Sequence, residues 1–263
     1  MCCFSPVSRP LGFLGRVFPA KVHVSATRIF ARMEGAEQAL VYSMELSVAG
    51  EVAMILPVPV LPGSGDEALR FQSLEGREAF FDQLEALFVV PPPASRSLGF
   101  QLAPQAKARP MLKVHAVGAF EASYVPGPGD FDRLDPRFRL PASVWEELGS
   151  YGDYGFAVFQ LRPGRKARVH PMAFRFLTRD PGRLFFPTVH VHDGKVHAEA
   201  RFDHALFYQA GGEPGDERAP LLPGPDQDGL VQEGQPVHRR RLEGRLPNRD
   251  TWIAAGPGLE AAS

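Results

Sequence analysis

The densest run of side chains able to do chemistry is Thr188-Val189-His190-Val191-His192-Asp193-Gly194-Lys195-Val196-His197. Asp193-Gly194 between alternating residues predicts a two-residue hairpin, because a type I′ turn needs positive φ at both central positions. That turn pairs His192 with Lys195, Val191 with Val196 and His190 with His197. His190 and His192 then share a face, with His197 across from His190 at a Cβ separation of about 4.5–5.5 Å. Three converging imidazoles suit zinc, bound at roughly 2.0–2.1 Å with one position left open, and they also suit copper, iron or nickel. Glu199, Arg201 and Asp203 share the parity of His197, so a carboxylate is on hand as a ligand or to orient an imidazole. His204 has the opposite parity and joins only if a bulge intervenes. The competing reading is an ordinary strand whose histidines are solvated, and Lys195 favours it, since a cation beside a metal is unhelpful.

The two cysteines are adjacent, Cys2 and Cys3. A disulfide between sequence neighbours is strained, so three readings stand: free thiols on an inert terminus, thiolates completing a soft metal site with the histidines, or a nucleophile. For the last, removal of the initiator Met would leave Cys2 with a free α-amine, the arrangement of an N-terminal-cysteine amidohydrolase. Asp130-Phe131-Asp132-Arg133-Leu134-Asp135 resembles part of a calcium loop but lacks the glycine and distal glutamate, which leaves helix capping. His115 and His170 are reserve ligands. Arg239-Arg240-Arg241 follows an acidic stretch, and charge pairing within the chain accounts for it. There is no Gly-rich dinucleotide loop, Walker lysine loop or nucleophile elbow, which removes most support for nucleotide-dependent and serine-hydrolase chemistry.

The elements that must hold these groups are mostly strands. Thr27–Met33 and Leu40–Val48 flank a polar turn, and the second alternates with period two. Glu51–Val60 is apolar throughout, as in a strand buried on both faces, with Pro57 and Pro59 at its end or at an edge. Phe80, Phe81, Leu84 and Leu87 have the spacing of one helix face, and Ser143 can cap a second short helix through Trp145 and Leu148. Strands are expected at Lys113–Val125, Gly155–Leu161, Lys166–Thr178 and within Leu184–Gln209. The fold class is therefore α+β, mainly antiparallel β as a meander or sandwich, with two or three short helices.

The organisation expected is an N-terminal arm at 1–26, one β-rich domain at 27–209, a flexible acidic Gly/Pro linker at 210–237 and a basic segment at 238–263. Lys and Arg number 29 against 30 Asp and Glu, so no global positive field draws the chain onto nucleic acid or anionic lipid. No stretch reads as a signal peptide or a membrane-spanning helix, which makes the cytoplasm the expected location. A protein partner is the remaining expectation, and the sequence sets no oligomeric state.

Thr27-Arg28-Ile29-Phe30-Ala31-Arg32, Leu40-Val41-Tyr42-Ser43-Met44 and, above all, Ala53-Met54-Ile55-Leu56-Pro57-Val58-Pro59 resemble a family of uncharacterised bacterial proteins that share a cysteine-bearing N-terminus. Phe186–His192 and Asp130–Phe138 are similar to pieces of the same group. The resemblance covers mainly the first sixty residues. It implies a shared β-rich fold and no mechanism; many of those relatives carry an export signal, which is not read in this chain.

Overall fold

The computed structural model describes residues 2–6, 22–48, 51–89, 115–117, 120–134, 149–161, 164–191, 196–221 and 229–256. Strand β1 (Cys2–Pro6) is followed by β2 (His23–Glu34) and β3 (Glu37–Val48), an antiparallel hairpin turning at Gly35, whose φ of 61° is one that glycine adopts without strain. Leu40, Tyr42, Met44, Leu46 and Val48 of β3 all enter one core, as their alternation predicts. Ala39 and Val41, which flank Leu40, are buried too, because a helix covers the opposite face.

The chain continues through β4 (Val52–Val58), β5 (Leu69–Gln72), α1 (Phe80–Ala86), β6 (His115–Val117), β7 (Phe120–Val125) and β8 (Gly155–Leu161). Then come β9 (Gly164–Arg168), β10 (Met172–Leu177), β11 (Arg183–Phe186), β12 (His190–Val191), β13 (Glu199–Gln209), β14 (Glu217–Leu221), β15 (Pro236–Pro247) and β16 (Thr251–Ala254). One sheet runs β12-β1-β4-β8-β7-β6; a larger one runs β14-β15-β13-β2-β3-β10-β5, with β9 also on β3; β11 and β16 form a third. Every residue of β4 is buried, and Pro57 sits near its end, where a missing N–H costs the ladder least. The pairing is antiparallel except for β1 with β12 and β13 with β2.

The two large sheets share a core in which Ile29, Tyr42, Phe174 and Leu206 meet Met54, Leu56 and Phe159. On the far face of the larger sheet, Phe30, Val41 and Phe207 pack under Phe80, Phe81 and Leu84 of α1, with Phe30 and Phe80 edge to face at 5.7 Å. The fold is thus β-rich with one α-helix among the described residues, plus 3₁₀ turns at Pro128–Arg133 and Gly149–Tyr151. The helix expected after Ser143 lies outside the described residues. No helix of the described residues is long and apolar enough to cross a membrane.

The boundaries expected at residues 209 and 237 fall inside the larger sheet. β14 lies within the stretch read as a linker, and β15, from the basic segment, pairs along β13 from Glu199 to Tyr208. Composition misreads this stretch because its order comes from distant partners. Arg32 donates to the carbonyls of Leu230 (2.9 Å) and Gly229 (2.7 Å), Gln209 donates to those of Gln232 and Gln235, and Leu230 and Val231 are buried. The acidic stretch meets the arginines as expected: Arg239 binds Glu217 at 2.6 Å and Glu85 at 2.5 Å, and Arg240 binds Glu213 at 2.6 Å and Asp216 at 2.8 Å.

Candidate functional site

His190 and the strand expected to pair with it lie in different sheets. His190 and Val191 form β12 in the smaller sheet, where they run parallel to Cys2 and Cys3, whereas β13 begins at Glu199 in the larger sheet. His190 therefore has no ladder contact with His197. His197 is exposed, and its carbonyl accepts a 2.9 Å hydrogen bond from Asn248 Nδ2. His192 and Asp193–Lys195 lie outside the described residues, as do the side chains of Cys2 and Cys3. Among the described residues no group of three or more His, Cys, Asp or Glu is placed to hold a metal ion.

The partner that His190 does find is His204. The two Nε2 atoms are 3.0 Å apart and the rings are stacked, with centroids 4.8 Å apart and an interplanar angle of 27°. One ring must carry its proton on Nε2 and the other on Nδ1, since an N–H···N bond needs one donor and one lone pair. His204 is buried at 2% exposure because even-numbered residues of β13 face the shared core, as Leu206 and Tyr208 do. Phe202, two residues earlier on that face, closes over both rings, 4.6 Å from His190 and 5.1 Å from His204. The opposite parity of His204 excluded it only on the premise that both strands lie in one sheet. Because the chain changes sheets between them, His190 approaches β13 face-on and the even positions become the facing ones.

Both histidines are held by hydrogen bonds on their backbones. Asn248 takes the N–H of His190 on Oδ1 (2.7 Å) and donates Nδ2 to its carbonyl (2.9 Å), imitating a ladder partner for a strand of two residues. Asp250 accepts the N–H of Val189 (3.1 Å) and the hydroxyl of Tyr151 (2.6 Å). Asp203 Oδ1 lies 3.8 Å from Nδ1 of His204, and its Oδ2 accepts the N–H of Ala26 at 2.7 Å. Ala26, with φ of 49°, is the one non-glycine residue with positive φ among those described, and it sits where β2 shifts register between Ser25 and Arg28. Bulges of this kind re-aim side chains, and strained backbone of this kind concentrates at functional sites.

Beside this bulge, on the α1 face of the larger sheet, opens a cleft of about 620 Å³ lined by Ala26, Arg28, Glu85, Arg201, Asp203 and Arg241, among others. Sequence reasoning named Arg201 and Asp203 only for their parity with His197, and passed over Arg28, Asn248 and Ala26. A strand-interior alanine at positive φ leaves no mark in composition or periodicity.

Of the remaining candidates, Asp130 and His170 make contacts outside this site. Arg133 bridges Asp66 (2.7 Å) and Asp130 (3.0 Å), so the aspartate-rich run anchors a turn. Nδ1 of His170 lies 2.9 Å from the carbonyl of Pro171. The side chain of His115 lies outside the described residues.

No family model and no curated protein matches the chain. Among solved structures the chain is similar to baculovirus P35, at 12% identity and a TM-score of 0.46 over 91% of this chain and 99% of that one. It is similar also to a mutated baculovirus P35 after caspase cleavage (11%, TM-score 0.46, 88% and 99%) and to the P35 of a caspase-8/P35 complex (11%, TM-score 0.42, 88% and 96%).

Proposed function

We propose that the chain binds a transition metal through His190 and His204, with Cys2 and His192 as the further donors. The observation that supports this reading is the 3.0 Å approach of two Nε2 atoms carried on different sheets. Two imidazoles on a tetrahedral zinc, each at 2.0–2.1 Å, hold their nitrogens about 3.3 Å apart, so a shift of a few tenths of an ångström turns the pair into a chelate. Cys2 occupies the ladder position beside His190, and His192 follows it by two residues. Asp203, 3.8 Å from Nδ1 of His204, is the carboxylate that would orient a ligating imidazole and raise its basicity. The surrounding hydrogen bonds to Asn248 hold the His190 backbone in place before any ion arrives. His197 is exposed and has no part in the proposed site.

The test is elemental analysis of untagged purified protein by inductively coupled plasma mass spectrometry, with zinc and copper titrations by calorimetry. Near-stoichiometric metal is expected in the wild type, falling to background in His190→Ala and in His204→Gln. The glutamine variant keeps a polar group in a buried position, and circular dichroism confirms that both variants fold. Absence of metal from the wild type after titration, or equal metal in folded variants, overturns the proposal.

A further inference from the structure

We infer that the cleft beside Ala26, which His204 lines and His190 does not, is a binding site for a phosphoryl group. The larger sheet presents Arg241 of β15, Ala205 of β13 and Arg28 of β2 as one row, since Ala205 is the ladder partner of both arginines. With strands about 4.8 Å apart, the two arginine Cα atoms stand roughly 10 Å from one another with the alanine methyl between them, and all three residues line the cleft, the Arg28 guanidinium lying over the Phe81 ring at 5.1 Å. Arg201, four residues before Ala205 and on the same face, lines the same cleft about 13 Å further along the strand.

These cations have binding capacity to spare. Arg201 is exposed, and its side chain makes no hydrogen bond or ion pair with another described residue. Arg241 has carboxylates no nearer than 3.5 Å. Arg28 gives Nη1 to Asp82 at 2.9 Å, while its Nε is buried without an acceptor. The acids of the cleft are engaged or remote: Glu85 is bound to Arg239 at 2.5 Å, Asp203 accepts the N–H of Ala26, and Glu243 stands 3.9 Å from Arg241. Arginines that line one cleft from different strands are bridged by an acceptor with oxygens on more than one side. A planar carboxylate presents its two oxygens on one edge, which a single arginine satisfies; a tetrahedral phosphoryl group meets arginines from both sides.

The experiment is titration of the full chain with inorganic phosphate by calorimetry and by amide chemical shifts, at ionic strength held constant with chloride, beside a titration with acetate. Saturable phosphate binding is expected, with shifts confined to the cleft and no saturation by acetate. Arg201→Ala/Arg241→Ala should weaken it by about tenfold or more, the loss of charge-assisted hydrogen bonds. Arg70→Ala, an exposed arginine of β5 paired with Glu37 at 2.5 Å and outside the cleft, should leave it unchanged. Equal weakening by Arg70→Ala, saturation by acetate to the same degree, or failure of phosphate to bind overturns the assignment. Because His190→Ala leaves the cleft intact, phosphate binding in that variant separates failure of this inference from failure of the metal site.

Discussion

Asn248 commits its whole side-chain amide to two segments, the strand β12 and the residues that lead into β13. It donates to the carbonyls of His190 and His197 and accepts the N–H of His190, so one residue ties β12 to the approach to β13. Asn248→Ala removes all three bonds and leaves partly buried backbone groups to water; a loss of about 1–3 kcal/mol is expected in urea unfolding, with faster exchange of the His190 amide. A loss below the error of the measurement would show that the segment is held by its apolar contacts instead. At this scale half of the site is legible in the sequence. His190 announces itself through alternation and the neighbouring Asp193-Gly194. His204 does not, since parity along a strand identifies its facing residues only relative to a partner whose direction of approach is known.

Among the elements, β14 is the one whose place depends most on charge. Arg239 holds the Glu217 carboxyl below the usual carboxylate range, chiefly through a direct hydrogen bond, and Arg240 does the same to Glu213, helped by the N–H of Ala254. Both groups are depressed in the folded state, so the unfolded chain binds more protons as the solution is acidified. Their contribution is complete above the ordinary glutamate pKa of about 4.5 and is lost as pH falls through the lower folded values. Glu217→Gln should therefore lower the urea midpoint at neutral pH and flatten its fall between about pH 5 and pH 3; a variant with an unchanged acid slope would assign that slope to other carboxylates. The same ion pairs explain why β14 escaped a compositional reading that β8 did not. Gly155–Leu161 is apolar enough to be read as a strand alone, and the β2–β3 hairpin and α1 follow from local periodicity. Glu217–Leu221 acquires its order from Arg239 and Arg240, which stand more than twenty residues further on.

The whole molecule is held together by contacts between distant parts of the chain. β2 turns back on β3 across Gly35 and Ala36, but its other edge is covered by β13, and β13 in turn by β15. Non-local pairing forms late, because the closure of long loops must precede it. In refolding followed by pulsed hydrogen exchange, amides of β2 and β3 that face each other should gain protection before those joining β2 to β13; simultaneous protection would place the parallel pair in the first structure to form. The order carries a further consequence during synthesis on the ribosome. Ala26 and Asp203 are 177 residues apart, an interval that translation at roughly 5–20 residues per second takes about 9–35 s to cross. Throughout that interval the nascent chain displays an unmatched β edge bearing Ile29, Phe30 and Ala31, all fully buried at the end. High-level expression should therefore load the cell's holdase chaperones in proportion to translation time, and slower translation between residues 35 and 200 should lower the soluble yield.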